Sequence, residues 1–159
     1  MCLPVLRKDF IIDRVQLEEE GSDLVLLIAG ILGKELGAFV ELAIEKGFEP
    51  PLVEVHSREE LELALETDTK IIGVNNRNFE TLKIDLATRK SLHPSSGNTT
   101  LNTGTSHLII SESGMNSPSD VRRLMLAGGA DAVLIGSALM ESDSVFDKTK
   151  EFVQGFCWR

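Results

Sequence analysis

Lys8, Glu54, Asn75 and Glu112 are the residues of this chain best suited to acid-base chemistry, because each ends or interrupts an apolar run. Side chains alternate between the two faces of a strand, so a shared face can be read from parity. Leu6, Lys8 and Phe10 fall on one face; so do Leu52 with Glu54, Ile71 with Gly73 and Asn75, and Leu108 with Ile110 and Glu112. In each set the polar residue caps an apolar column, as happens where a packed barrel interior gives way to a polar mouth. Glu54 lies inside Leu-Val-Glu-Val-His, a run suited to burial, where a lone carboxylate is costly unless paired or protonated. Lys8 is its expected partner. A lysine there could donate a proton or hydrogen bond to a carbonyl oxygen, while the glutamates accept protons or, once desolvated, supply them.

A second constellation suits a phosphate. Leu108-Ile109-Ile110 runs into Ser111-Glu112-Ser113-Gly114, and Ala132-Val133-Leu134-Ile135 runs into Gly136-Ser137-Ala138. A strand that ends in Gly and Ser just before a helix turns backbone N–H groups toward whatever lies beyond the sheet, which favours a dianion. In (β/α)8 barrels such a cradle commonly follows the last two strands, at the catalytic face. Acid-base chemistry on an organic phosphate is the chemistry implied.

The elements that must position these residues alternate between short apolar runs and longer stretches of helical spacing, the signature of a parallel sheet. Strands are expected at 3–7, 24–28, 52–55, 71–74, 108–111 and 132–135. Helices are expected at 34–46, closed by Gly47, behind the capping box Ser57-Arg58-Glu59-Glu60, and after Ser117-Pro118, where an N-cap precedes a first-turn proline. Weaker helical patterns lie at 13–20, 85–92 and 143–156. Residues 94–106, rich in Ser, Thr, Asn and Gly, have no apolar period and read as a flexible polar insertion within a single domain spanning 1–159.

A net charge of −9 disfavours a nucleic-acid surface, which needs clustered Lys and Arg. There is neither a secretory signal nor an apolar run long enough to cross a bilayer, so no membrane partner is expected and the cytoplasm is the expected location. Cys2 and Cys157 stand at opposite ends in no ligand spacing, and His56, His93 and His107 form none with one another, so no metal is expected. His56 falls one pleat beyond Glu54, but is read equally well as a loop residue.

Taken together, these residues resemble indole-3-glycerol-phosphate synthase of tryptophan biosynthesis. The resemblance rests on Pro-Val-Leu-Arg-Lys-Asp-Phe-Ile at 4–11, Leu-Val-Glu-Val-His at 52–56, Ile-Gly-Val-Asn-Asn-Arg-Asn at 72–78, Ser-Glu-Ser-Gly at 111–114 and Asp-Ala-Val-Leu-Ile-Gly-Ser-Ala-Leu-Met at 131–140. It implies a carboxy-lyase that closes the indole ring of 1-(2-carboxyphenylamino)-1-deoxyribulose 5-phosphate with loss of carbon dioxide and water, and needs no cofactor. On the family pattern Lys8 is the general acid toward the ribulose carbonyl, Glu54 the acid-base carboxylate, and Asn75 and Glu112 the residues that orient substrate. Ser113, Gly114, Gly136 and Ser137 match the phosphate cradle. Phe10 and Leu134 match contacts to the anthranilate ring, and Arg77 a mouth arginine.

The resemblance also implies that this α/β chain is a partial (β/α)8 TIM barrel of about six βα units, strands three to eight. A first-strand Glu-x-Lys-x-x-Ser-Pro-Ser block of the family has no counterpart here. The expectation is therefore a chain that needs a complementing amino-terminal segment or self-associates. The alternatives are another phosphate-binding barrel such as phosphoribosylanthranilate isomerase, and a non-catalytic phosphate-binding fragment.

Overall fold

The structure, a computed structural model, describes residues 3–48, 50–76, 107–126 and 129–155. The chain divides into two compact units, residues 1–74 and 75–159. Arg77, the insertion 94–106 and the helix expected at 85–92 lie outside the described residues.

The first unit is built on β1 (Leu6–Arg7), β2 (Leu24–Ile28), β3 (Leu52–Val55) and β4 (Ile71–Asn75), whose last residue belongs to the second unit. Each strand pairs in parallel with the next one in the chain, with Leu6 opposite Leu24, Leu26 opposite Leu52, and Leu52 opposite Ile71. Strands β2 and β3 carry near-continuous apolar runs because both of their faces are covered. The covering helices are α1 (Ala29–Leu32), α2 (Leu36–Glu45) and α3 (Arg58–Leu65). Helix α2 buries Leu36, Phe39, Val40 and Ala43, the stripe expected from its spacing.

Three local expectations shift. The helix expected at 34–46 opens with a 3-10 turn, Gly33–Glu35, because Gly33 sits at φ +52° and no side chain caps the start of α2. The pattern at 13–20 becomes a 3-10 helix, Arg14–Glu18, closed by Asp13, which accepts from the Val15 amide, and Gln16, which accepts from the Asp13 amide. Strand β1 is shorter than 3–7, because the Asp23 carboxylate takes the Val5 amide at 2.7 Å while the Asp23 amide donates to the Val5 carbonyl at 2.8 Å.

The second unit holds β5 (Leu108–Glu112) paired in parallel with β6 (Ala132–Leu134), and helices α4 (Pro118–Leu126), α5 (Ser137–Met140) and α6 (Val145–Gly155). Strand β6 stops one residue short of the expected 132–135. A reciprocal clip like that at Asp23 recurs here: the Ile109 amide donates to the Asp131 carboxylate at 2.9 Å, and the Asp131 amide donates to the Ile109 carbonyl at 2.8 Å. The core is Met115, Val121, Leu124 and Phe152, with Val133, Ile135, Ala138 and Leu139 packed around it. Helix α6 crosses the start of α4 so closely that a Cβ at Gly155 would lie 2.3 Å from Pro118 Cβ. Only glycine permits that crossing, and Arg122 secures it by donating to the Gly155 carbonyl at 2.6 Å.

Strands alternating with helices within each unit, with parallel pairing throughout the pairs described, make this an α/β chain of six strands, the expected partial TIM barrel. No helix among the described residues is long and apolar enough to cross a membrane.

Candidate active site

In the first unit the chemistry gathers around Glu54. Its strand neighbours Val53 and Val55 are buried, and Glu54 itself is only 4% exposed. The residues in register with it are Ile28 on β2 and Gly73 on β4, the latter without a side chain. Lys8, just past β1, places Nζ 2.8 Å from Glu54 Oε2. The expected partners are therefore in contact. Half of the Lys8 side chain remains exposed while the glutamate is covered, so the lysine can reach a ligand and still neutralise the carboxylate. Removing such a partner is far more costly than the net value of the pair, because the remaining charge stays desolvated.

His56, which parity sets one pleat beyond Glu54 on the same face but which reads equally well as a loop residue, completes this cluster. Its Nε2 lies 3.0 Å from Glu54 Oε1 and its Nδ1 3.4 Å from Glu60 Oε2. Glu60 is the third helical residue behind Ser57, whose hydroxyl accepts from the Glu60 amide at 3.2 Å. The return bond of the expected capping box is redirected by one residue: Glu60 Oε2 accepts from the His56 amide at 2.8 Å instead of that of Ser57. The signal available in the sequence was the four-residue spacing of His56 and Glu60. Phe10 lies beyond the end of β1 and is 67% exposed, so its strand parity with Lys8 is lost.

The second unit organises the Ser113 and Gly136 loops. Glu112 ends β5 with 1% exposure. Ser113 follows at φ +66° and Gly114 at φ +76°. A left-handed serine is strained, and such strain persists where the surroundings impose it, often at ligand sites. Asn76 imposes it here. Its amide nitrogen donates to Ser111 Oγ at 2.9 Å and to the Ser113 carbonyl at 3.2 Å, while its backbone amide donates to the Glu112 carbonyl at 2.9 Å. Asn75, the residue singled out by parity, is half-buried at the end of β4; its neighbour Asn76 shapes the loop. Gly136 is the N-cap of α5 and Ser137 its first residue, both exposed, and Leu134 at the end of β6 is half-buried. Among the described residues no cluster of three or more His, Cys, Asp or Glu could hold a metal ion.

The Ser113 loop is pinned at its far end by the cap of α4. Asp120 Oδ2 accepts from the Ser117 hydroxyl at 2.8 Å and from the Ser117 and Asn116 amides at 3.0 and 3.2 Å. The Ser117 hydroxyl, then those amides and Arg123, outweigh partial burial and hold the Asp120 carboxyl below its ordinary value of 3.8. A depressed folded value means that the cap's stabilisation is complete above the unfolded value and is lost as pH falls through the folded one. Asp120→Ala is therefore expected to cost about 1 kcal/mol at neutral pH. In melting curves recorded against pH, the gap between the two proteins should close at the acid end. A gap that widens on acidification would contradict this account.

The chain was also compared with known proteins. A family model described as indole-3-glycerol phosphate synthase matches residues 1–152. Proteins named indole-3-glycerol phosphate synthase from Thermoanaerobacter sp. (strain X514), Halobacterium salinarum and Methanocaldococcus jannaschii are 42%, 43% and 40% identical to it. Each alignment covers 95% of this chain, but 56%, 56% and 54% of the respective relative. The chain thus spans about half the length of the curated relatives it matches.

Proposed function

The chain belongs to the indole-3-glycerol phosphate synthase family, and on that premise we propose that it carries acid-base and phosphate-binding residues for closing the indole ring of 1-(2-carboxyphenylamino)-1-deoxyribulose 5-phosphate. The observation that carries this reading is the 2.8 Å contact between half-exposed Lys8 and buried Glu54. Lys8 Nζ donates to the ribulose carbonyl oxygen as the ring carbon attacks, and the developing alkoxide is neutralised where a cation already stands. The bond from that ring carbon to the carboxylate then breaks, carbon dioxide leaves, and the electron pair of the broken bond restores the aromatic ring. Glu54 serves as the acid-base carboxylate for the proton transfers that expel water. Asn75 and Glu112 orient the substrate, Phe10, Leu134 and Arg77 contact its anthranilate end and the mouth, and Ser113, Gly114, Gly136 and Ser137 hold the phosphate. The strained Ser113 turn and the N-cap position of Gly136 support the last assignment.

The absence of a long apolar helix among the described residues fits the cytoplasmic location that a biosynthetic lyase of this kind would occupy. Because the alignments reach only about half of each relative, a complementing amino-terminal segment or a second copy is the partner we propose for turnover. The same coverage favours one second reading, phosphate binding without turnover.

Indole fluorescence released from the ribulotide substrate tests both. The expected result is a signal from the chain, alone or mixed with the amino-terminal portion of a relative. Folded protein that binds inorganic phosphate but gives no signal in either mixture would replace the first reading with the second.

A further inference from the structure

We propose that His56 is a positioning residue for Glu54, clamped by Glu60 in a space that Gly30 leaves open. The proposal rests on Glu54 being the acid-base group of the reading above. The carboxylate has two oxygens with separate partners: Oε2 meets Lys8 at 2.8 Å and Oε1 meets His56 Nε2 at 3.0 Å. A carboxylate held at one oxygen only can pivot about its last torsion, which is broad and nearly two-fold. Held at both, it presents a fixed edge. In this proposal Nε2 carries the ring proton and faces Oε1, 3.0 Å away, so that the Oε2 edge stays turned to the lysine.

The imidazole needs its own support, and Glu60 supplies it. Glu60 Oε2 lies 3.4 Å from Nδ1 and also accepts the His56 backbone amide at 2.8 Å, gripping ring and backbone of the same residue. His56 stands two residues before α3, and the bond from its backbone amide to Glu60 brings its ring beside that carboxylate. Behind Glu60 stands Gly30 of α1, where a Cβ would lie 2.7 Å from Glu60 Oε1 and 3.1 Å from its Cδ. Any larger residue there must push the Glu60 carboxylate off its present position. Gly30 is itself exposed, and alanine favours a helix, so Gly30→Ala disturbs the clamp without opening the core.

The test uses the full chain, 15N-labelled, with long-range proton–nitrogen spectra of the His56 ring beside the indole assay. A protonated Nε2 is expected in the native chain, with its signal moved and its exchange with water quickened in Glu60→Gln and Gly30→Ala. Where the chain turns over, His56→Leu should lower kcat by about 10–100-fold with KM within about twofold, the pattern of a misaligned catalytic group. His56→Gln, which keeps a donor near Oε1, should recover most of the loss, and Gly30→Ala should show the same kcat-led defect in milder form. A native Nε2 without a proton overturns the proposal, and so does a Gly30→Ala spectrum identical to the native one. Equal kcat in His56→Leu and the native chain also overturns it. Failure of the native chain to turn over in every mixture sinks the assignment of Glu54 instead, and the spectra still decide whether His56 holds that carboxylate.

Discussion

Lys8→Met is expected to lower the rate of indole formation by about 10²–10⁴-fold, the range over which a positioned general acid contributes. The change removes the only charge that Lys8 brings and keeps its length and its apolar stem. On the proposed role the lysine acts as bond making begins, so kcat and kcat/KM should fall together while KM moves little. The substitution has a second consequence. Glu54 is buried, with its side chain 5% exposed, and loses the cation at Oε2 while keeping His56 at Oε1. Stability should fall at neutral pH, and Glu54→Gln combined with Lys8→Met should recover part of that loss, because no desolvated charge remains. Steady-state kinetics with melting curves on the two single variants and the double variant separate the effects. A Lys8→Met protein with near-native kcat would remove Lys8 from the chemistry, whatever its stability.

Phe152→Ala is expected to destabilise the second unit by about 3–5 kcal/mol, the usual cost of emptying an aromatic from a packed core. Phe152 of α6 is 5% exposed and packs with Met115, Val121 and Leu124. Met115 directly follows the Ser113–Gly114 turn, while Ala138 and Leu139, at the edge of the same cluster, directly follow Ser137. One aromatic ring therefore packs behind both of the loops proposed to hold the phosphate. The cavity should weaken binding of inorganic phosphate by calorimetry as well as lower the denaturant midpoint, and Phe152→Leu should retain most of both. Lys148, 5.3 Å over the ring, loses its aromatic partner in either variant and so should not distinguish them. A loss below about 1 kcal/mol would show that the loops are held by other contacts.

How legible this molecule was depended on what each residue's neighbours were doing. Strands β2 and β3 match the sequence reading residue for residue because both faces of each are buried, which leaves short Leu- and Val-rich runs, interrupted only by Glu54. Strand β1 was read too long: Leu3 and Val5 are apolar enough for a strand, but the Asp23 carboxylate takes the Val5 amide that a ladder would use. Helix α1 was not read at all, since its four residues include Gly30 and its N-cap, Ile28, offers no side-chain bond. At the candidate site, parity brought out Lys8 and Glu54, which meet across β2 because the long lysine stem reaches from just past β1 to β3. Parity set His56 on the Glu54 face while leaving a loop equally open, and it did not bring out Asn76; both lie past the ends of their strands. There a side chain's direction is set by a cap or a turn, not by the pleat, and parity has nothing further to say.

The two aspartate clips carry a consequence for how this sequence can change over generations. Asp23 and Asp131 each stand one residue before a strand and bind the start of the preceding one, at the opposite strand ends from Lys8 and Ser113. Cohesion and chemistry are thus assigned to different ends of the same strands. Mutations can raise or lower the margin of stability at one end while selection on turnover acts at the other. A lineage carrying such clips can absorb drift in stability without rebuilding the residues that do the chemistry.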